Sequence, residues 1–319
     1  MKRTKQTSAL EYQKRINKAL VYIQDNLDKP LSLSEVSRKA CFSEFHFHRI
    51  FSALMRETLG EYVTRKKLER AAIKLAYTPM LKVSTIAEEF GYASVSSFSK
   101  AFNEWFGCRP TELKKIKHRL DSGGGKLQTK YEKSIESNQL FVDTEDSTDR
   151  FEELSKRIVI NDLPKMNVFY LTSPQGYNFE SIWSTWQDSR QRIEDAGLDW
   201  NACECFAVSH DHPGLTPLER CRYDACVKLP ADASENLDLL KTVIPEGRFA
   251  IFPVEGPEHS ILGQYLEFYT VWMPQSGYEP DNFPVVERYL PSSEPGYLRA
   301  ELWAKITPLT SGSRYTRGA

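Results

Sequence analysis

Six side chains between residues 203 and 226 carry donor atoms for a soft metal: Cys203, Cys205, His210, His212, Cys221 and Cys226. Their spacing argues against such a site. Cys-x-Cys and His-x-His put neighbours on one face of a strand, and no Cys-x-x-Cys pair occurs, so neither a metal nor another cofactor is expected. A second chemistry lies in the run Leu298–Ile306. Strand alternation puts Leu298, Ala300, Leu302 and Ala304 on one face, and Glu301 with Trp303 on the other. A carboxylate beside an aromatic ring suits a cationic amphipathic ligand. Tyr177, Trp183 and Trp186 are further aromatic candidates for the same ligand, the alternative being that the tryptophans are core. Glu301 has its own alternative, an edge-strand glutamate paired with Arg299 or Lys305. No nucleophile–base pair or oxyanion motif accompanies these residues, so no enzyme is expected.

A third chemistry is spread over the first third of the chain, where a pattern repeats. Leu31-Ser-Leu-Ser34-Glu-Val36 returns as Leu81-Lys-Val-Ser84-Thr-Ile86 at an offset of 50 residues. Phe47-His-Arg49-Ile-Phe51 returns as Phe98-Ser-Lys100-Ala-Phe102 at an offset of 51. In each copy the two phenylalanines are four apart and face a core, so the residues between them face outward. Each copy therefore reads as a capped helix, a tight turn and an amphipathic helix, the pattern in which the outer face of the second helix enters a DNA major groove.

The elements that hold these two helices follow from periodicity. Ile16, Leu20, Ile23 and Leu27 form one helical stripe, ended by Pro30. Ser32 or Ser34 caps a helix from Glu35 to Ala40, and another starts near Ser43, with Phe47, Ile50, Phe51 and Leu54 on one face. A longer helix runs from about Gly60 to Tyr77, and Ser84 caps Ile86–Phe90. A last pair of helical runs holds Phe98, Phe102 and Trp105, then Thr111–Ile116. The connecting helix, about 17 residues, spans ~26 Å and with its turns holds two readers about one DNA turn apart. Its Arg65, Lys66, Lys67 and Arg70 are candidates for phosphate contact.

Charge follows the same division. Residues 1–120 carry 23 Lys+Arg against 12 Asp+Glu, whereas residues 121–319 carry 19 against 31, which hides behind a net charge of -1. The first part attracts a polyanion, and does so in a salt-dependent way. No apolar run reaches the ~18–20 residues of a membrane helix, and no signal-peptide core follows the basic start, so a cytoplasmic protein with reduced thiols and no membrane partner is expected. Residues 119–155 open on three glycines and run polar and acidic, the composition of a flexible linker, with a short helix near Tyr131–Ile135. Beyond it, strands are expected at Arg157–Ile160, Val168–Leu171, Cys205–Ser209, Tyr223–Leu229, Arg248–Pro253 and Leu298–Ile306, with helices near Phe179–Ala196 and Ser260–Trp272. The expected domains are thus 1–118 (core 16–115), a linker 119–155, an α+β domain 156–309, and a disordered tail 310–319.

The first repeat pattern resembles the DNA-binding domain of the AraC/XylS family. The matching residues are Leu33-Ser-Glu-Val36, Ala40-x-Phe42-Ser43 and Phe47-His-Arg49-Ile-Phe51, then Ile86-Ala87, Phe90-Gly91-Tyr92, Ser97-Phe98-Ser-Lys100-Ala-Phe102 and Gly107-x-x-Pro110. The resemblance implies an all-α tandem helix-turn-helix domain that binds double-stranded DNA. It implies contacts at Phe45, His48 and Arg49, with His46 beside them, and at Val95, Ser96, Ser99 and Lys100. Arg49 can read guanine through two hydrogen bonds, whereas Val95, Ser96 and Ser99 offer little of that kind, so the first copy is expected to read bases and the second to hold phosphates. One position departs from the family: Arg56 stands where the second copy has its turn glycine, Gly107. Either that turn differs or Arg56 contacts phosphate, and a different turn is the favoured expectation.

Residues 156–309 resemble the gyrase-inhibitor-like effector-binding domain. The match rests on Asp211-x-Pro213, Thr216-Pro217, Cys221-Arg-Tyr223-Asp-Ala-Cys226, Gly247-x-Phe249-Ala250, Tyr265 to Trp272, Ser276-Gly-Tyr278, Pro284-x-x-Glu287-x-Tyr289 and Glu301-Leu-Trp303. It implies duplicated β-α-β-β modules, a concave antiparallel sheet and a small apolar or cationic effector, with Glu301, Trp303, Trp183, Trp186 and Tyr177 as its candidate contacts. The expected whole is an effector-modulated transcription regulator able to work as a monomer, with RNA polymerase as a further partner. The competing expectation is a constitutive DNA-binding regulator whose second domain binds a protein or hydrolyses a small molecule.

Overall fold

Serine hydroxyls start three of the four helices that the two sequence repeats predict. The computed structural model describes residues 2–78, 81–113, 127–128, 134–135 and 147–309, apart from 214, 232, 234–236, 293 and 295. It divides into two units, Met1–Ile73 with Lys82–Pro110, and Lys74–Leu81 with Thr111–Ala319. Helix α1 (Lys2–Asp25) leads into α2 (Leu33–Lys39), where the Ser32 side chain accepts a hydrogen bond from the Glu35 N–H at 3.2 Å. Helix α3 (Glu44–Met55) is capped the same way by Ser43. Helix α4 (Leu59–Tyr77) connects the copies. Helix α5 (Val83–Glu89) corrects one expectation: it begins after Lys82 without a side-chain cap, and Ser84 lies inside its first turn. Helix α6 (Val95–Phe106) has a full capping box, with Ser94 and Ser97 serving each other's backbone.

The expected stripes are buried. Ile16, Leu20, Ile23 and Leu27 pack on Val36, Ala40, Phe47, Phe51 and Tyr62, and each buried Ile, Leu, Val or Phe side chain contributes about 1.5–3 kcal/mol. In the second copy Ile86, Phe90, Phe98, Phe102, Trp105 and Phe106 are buried. Leu54 is the exception. It was expected on the buried face, but it is 51% exposed because α3 reaches its last turn there and the core has ended. After Pro110 the chain is helical through residue 113, and the rest of the expected run to Ile116 lies outside the described residues.

The turns of the two copies share a conformation but not a residue type. Gly91 (φ 71°) and Gly107 (φ 67°) take the left-handed form in the second copy. Cys41 (φ 54°) and Arg56 (φ 57°) take it in the first. The expectation that the turn at Arg56 would differ is therefore overturned: the turn is the same, and a side chain bears the cost of about 1 kcal/mol. Glu57, the next residue, helps to hold it. Its carboxylate accepts from Arg65 of α4 at 2.7 Å, and Arg65 also donates to Glu69 at 3.1 Å. All three are buried, Arg65 to 1% exposure. Lys66 is buried too, and Lys67 is bound to backbone carbonyls, so much of the basic face expected to meet phosphates turns inward.

The second unit is built around one antiparallel sheet. A two-stranded pair, β1 (Leu127–Gln128) with β2 (Ser134–Ile135), stands apart from it, where a helix had been expected near Tyr131–Ile135. Residues 131–133 of that stretch lie outside the described residues. Helix α7 (Ser147–Arg157) occupies residues that composition assigned to the linker, and its Leu154 is fully buried. Then follow β3 (Val159–Leu163), β4 (Met166–Thr172), α8 (Phe179–Asp195), β5 (Glu204–Ser209), β6 (Tyr223–Lys228), β7 (Leu240–Ile244), β8 (Gly247–Pro257) and α9 (Glu258–Glu267). A π-helical turn (Phe268–Trp272) extends α9, and β9 (Tyr278–Pro280), β10 (Val285–Tyr289) and β11 (Tyr297–Pro308) close the domain. Strands β7, β9 and β10 were not among the expected ones; each is only three to five residues long.

The sheet order is β3-β8-β11-β10-β5-β6-β4-β7, with β9 beside β11. That order is a palindrome of two modules. Module one runs β3-β4-α8-β5-β6 and module two runs β7-β8-α9-β10-β11. In both, the fourth strand lies between the second and third, and the leading strand pairs with the other module. The two modules meet at β5 and β10, where Ala207 pairs with Glu287 and Phe206 with Arg288. Helix α8 packs on β4 and β6, and α9 on β8 and β11, so the central β5–β10 seam lies between the two helices.

The buried ion network yields a stability expectation. Arg65→Met leaves Glu57 and Glu69 without their guanidinium and should destabilise the chain by about 3 kcal/mol, read as a lower urea midpoint. A loss no larger than that of an exposed pair, under about 1 kcal/mol, would contradict it.

Candidate functional site

Two surfaces carry the candidate residues, one in each unit. In the first unit, α3 and α6 present matching outer faces. Phe45 is 74% exposed on α3, and Arg49 lies one turn on, its guanidinium 5.9 Å from the Phe45 ring centre. His48 is exposed beside them. His46 is exposed as well, but its ring packs on Phe42 at 5.3 Å and on Tyr12 at 6.0 Å, which ties it to α1. On α6, Val95, Ser96 and Lys100 are exposed and Ser99 is half-buried. Lys100 is 3.9 Å from Glu104, a loose pair between exposed side chains that a phosphate can displace. The fold thus brings each set of four onto one helix, with its apolar partners Phe47 and Phe51, or Phe98 and Phe102, buried behind it.

In the second unit the five expected contacts are not brought together. Register places Glu301 opposite Arg288, and Leu302 opposite Glu287. Leu302, Glu287, Ala207, Ala225 and Leu171 therefore form one row across the helix-covered face, and Glu301 lies on the other. There Glu301 accepts from its neighbour Trp303 through the indole N–H at 2.9 Å and pairs with Arg288 at 3.4 Å. Arg288 continues to Glu204 at 3.0 Å, and Glu204 to Lys228 at 2.5 Å. The indole of Trp303 packs edge-on against Phe206 at 5.5 Å. Glu301 is thus paired, with Arg288 rather than with Arg299 or Lys305. Trp183 is 60% exposed on α8.

Trp186 and Tyr177 lie on the helix-covered face, and with them is a cluster that strand alternation alone did not single out. The Trp186 indole N–H donates to the Tyr223 hydroxyl at 3.1 Å. The Tyr223 and Tyr289 hydroxyls are 3.0 Å apart, and Tyr289 donates to Glu287 at 2.8 Å. This fixes one direction for the relay, from Trp186 through Tyr223 and Tyr289 to the carboxylate. Ser209 donates to the other Glu287 oxygen at 3.1 Å. Tyr177 stands edge-on to Tyr223 at 6.2 Å and donates to the Asp211 carbonyl at 2.7 Å. The Tyr265 hydroxyl is buried beside Glu287 without a well-formed hydrogen bond.

The electrostatics of Glu287 are unusual for a carboxylate held by donors. Burial raises its pKa, while the hydrogen bonds from Tyr289 and Ser209, with the Tyr265 hydroxyl nearby, oppose that rise only in part. Among the described residues no Lys, Arg or His stands against it. The next positions of the row, Ala207 on β5 and then Ala225 on β6, are small and buried under Tyr177, Ile182 and Trp186. Asp224, on the opposite face, shows the contrast. Burial would raise its pKa, but Arg222 and His210, both 2.7 Å away, hold it well below the usual carboxylate range. The signal for the cluster was present in Pro284-x-x-Glu287-x-Tyr289, where two residues spaced by two share a strand face.

Cys205 lies two residues from Cys203 on β5, and burial pushes its thiol up to about 12. Cys221 and Cys226 are buried, and no disulfide joins any of the described cysteines. Among the described residues no group of three or more His, Cys, Asp or Glu is placed to hold a metal ion. Nor is any helix among them long and apolar enough to cross a membrane.

Comparison with known proteins follows the same two units. Residues 36–116 match a helix-turn-helix domain family, and residues 156–307 a GyrI-like small molecule binding domain family. Regulatory protein SoxS of Escherichia coli (strain K12) is 31% identical over 111 residues, 35% of this chain and 100% of SoxS. The HTH-type transcriptional activator AarP of Providencia stuartii is 33% identical over 96 residues, 30% of this chain and 70% of AarP. Among solved structures, the C-terminal domain of EcmrR is 18% identical, covering 48% of this chain and 98% of that domain, with a TM-score of 0.40.

The relay makes a directional prediction. Tyr289→Phe removes one donor from Glu287, so its carboxyl should titrate at higher pH than in the parent chain, followed by carbon-13 NMR of labelled glutamate. A downward move would mean that the tyrosine hydroxyl does not donate to this carboxylate.

Proposed function

The chain belongs to the AraC/XylS family of transcription regulators and joins a GyrI-like small-molecule-binding domain to its DNA-binding domain, and on that premise we propose how its residues divide the work. It is a DNA-binding transcription regulator modulated by a small effector. In our reading, α3 reads sequence through Arg49, Phe45 and His48, and α6 holds the duplex through Lys100, Ser96, Ser99 and Val95. The exposure of each set on one helix face supports this, as does the chemistry, since only Arg49 offers a planar two-hydrogen-bond match to guanine. His46 belongs with the α1 aromatic cluster and supports α3 from behind. With two readers on one chain, the target is an asymmetric site of about 18–20 base pairs across two successive major grooves.

The observation that carries the effector proposal is the Glu287 carboxylate, surrounded by aromatic rings and, among the described residues, with no cation against it. Such a site favours a cationic or polarised amphipath, whose charge meets the carboxylate while its apolar body packs on Trp186, Tyr177, Tyr223 and Tyr289. Glu301, Trp303 and Trp183 are left out of this site. We place the domain's work in binding rather than turnover. A raised carboxyl is also what a general acid needs, so product formation that Glu287→Gln abolishes would move the reading to a hydrolase. Contact with RNA polymerase and a cytoplasmic setting complete the proposal; they draw support from the relatives, which are regulators, one of them named an activator.

Two measurements test it. On a DNA site with single base-pair changes, Arg49→Ala should lose about 10- to 100-fold of discrimination at one position, whereas Lys100→Ala should weaken all sites alike and flatten the salt dependence. Equal loss of sequence preference in both variants contradicts the division of labour. For the effector, a quaternary ammonium amphipath should raise the melting temperature of the full chain more than its neutral isostere does. The charged carboxylate is the binding form and its pKa is raised, so affinity should fall by up to about tenfold per pH unit as pH drops below that pKa, and level off above it. Glu287→Gln should abolish both the cation preference and the pH dependence, and Glu301→Gln should change neither.

A further inference from the structure

Lys67 lies on α4 and carries an ammonium that does not reach solvent freely. Its Nζ donates to the Phe90 carbonyl at 2.8 Å and reaches the Lys29 carbonyl at 3.4 Å. These carbonyls belong to different copies of the repeat. Phe90 is the C-cap of α5, the last residue before the turn that leads to α6. Lys29 sits in the turn between α1 and α2. A cation at the C-terminal carbonyls of a helix is electrostatically favoured, and here one cation serves the end of α5 and a turn of the other copy together. Burial lowers the pKa of Lys67, and Asp28 in the same turn opposes that shift.

The backbones meet at the same point. Gly91, the residue after Phe90, has a φ of 71°, and a Cβ on it would stand 3.0 Å from the Asp28 carbonyl and 3.6 Å from Lys67 Nζ. Only a glycine lets the two turns come this close. Each copy has its own aromatic pair and its own caps, so neither core alone dictates where the other copy sits. In addition to α4 itself, this three-way contact of Lys67 with two turns joins them.

We infer that Lys67 is a positioning residue for DNA reading: by clamping the turn before α6 to the turn after α1, it fixes the spacing at which the two recognition helices meet successive major grooves. This rests on the reading that both α3 and α6 enter DNA. A clamp of this kind has a particular signature. It leaves each reader's own contacts intact and removes the advantage of binding both grooves at once, because loosely joined readers have a lower effective concentration for the second groove.

The test uses the full chain and a duplex that the wild-type chain enriches from a random-sequence pool. Three probes derive from it: the full site, each half-site alone, and full sites with one or two base pairs inserted between the halves. Wild type should lose about tenfold or more on a one-base-pair insertion, because the second groove rotates out of register. Lys67→Met should bind the full site about tenfold more weakly, bind each half-site as wild type does, and tolerate the insertions better. Lys67→Arg, which keeps a cation, should restore the wild-type pattern. Wild-type behaviour of Lys67→Met on every probe, or an equal loss on full and half sites, overturns the inference. If Lys67→Met does not fold, Gly91→Ala replaces it, since its Cβ forces the same two turns apart; an unchanged spacing dependence there overturns the inference as well. Enrichment by the wild type of no sequence, or of a one-groove site, would fail the underlying reading instead, and that is seen before any variant is made.

Discussion

A single guanidinium, that of Arg65, sits buried between the carboxylates of Glu57 and Glu69, and the geometry of the DNA-binding half depends on it. An apolar trio of the same volume would cost less to desolvate, so the arrangement is not explained by stability alone. Its use is directional. Greasy contacts allow a helix to slide or rotate by a fraction of a turn, whereas a guanidinium held by two carboxylates does not. Glu57 follows Arg56, the residue that reverses the chain after α3. The network therefore fixes the exit of the first recognition helix onto the connecting helix. One turn of α4 carries both this device and Lys67, so the helix between the readers is anchored at its middle by charge and over the rest of its length by packing.

In the sensor half the equivalent constraint is topological. Two modules related by a palindromic strand order must meet somewhere, and they meet at β5 and β10. Each helix packs on the outer strands of its own module, so the seam lies between the two helices. Glu287, Tyr289 and Ser209 all project from that seam. The duplication therefore does more than enlarge the core. It places a carboxylate where the modules meet, with hydrogen bonds from Tyr289 and Ser209 to hold the group and, among the described residues, no cation against it. A buried carboxyl in that condition costs free energy until something cationic arrives, and this is why the seam, rather than the Arg288–Glu301 ladder on the other face, is where a ligand has most to offer.

Much of this was legible in the sequence, and the failures are instructive. The phenylalanine pairs Phe47/Phe51 and Phe98/Phe102 declared two helices and their inner faces, because a four-residue spacing has one structural meaning. Strand alternation likewise separated Glu301 from Leu302 correctly. It cannot say which face the helices will cover, since that depends on where α8 and α9 pack, and the carboxylate chosen from it lies on the wrong face for Trp186 and Tyr177. Strand β10 is five residues of which two are Val, and it follows a proline, so it gave little pattern to read even though it carries Glu287. The capping of α5 failed for a different reason. Ser84 has the right chemistry, but the cap position is Lys82, two residues earlier, and a cap is defined by backbone position rather than by residue type.

The two DNA-binding copies also differ in what supports them, and the difference bears on their roles. The second has glycine at both left-handed turns and a capping box at the start of its recognition helix, so its local sequence agrees with its local structure. The first has Cys41 and Arg56 at those turns and must hold them from outside. Arg15 of α1 donates to the Ala40 carbonyl at 2.9 Å, next to Cys41, and its guanidinium lies 3.6 Å from the centre of the Phe42 ring. His46 adds its ring to the same cluster. Tyr22 of α1 hydrogen-bonds to Glu35 in the first turn of α2. So α1, a 24-residue helix that the second copy lacks between its connecting helix and α5, does for the first copy what glycine does for the second. A reader supported by neighbouring elements can give more of its own outer face to Phe45, His48 and Arg49, because its shape no longer depends on its own turns alone. The strain at Cys41 and Arg56 is then a consequence of putting the base-reading residues on the copy that α1 and Arg65 hold in place.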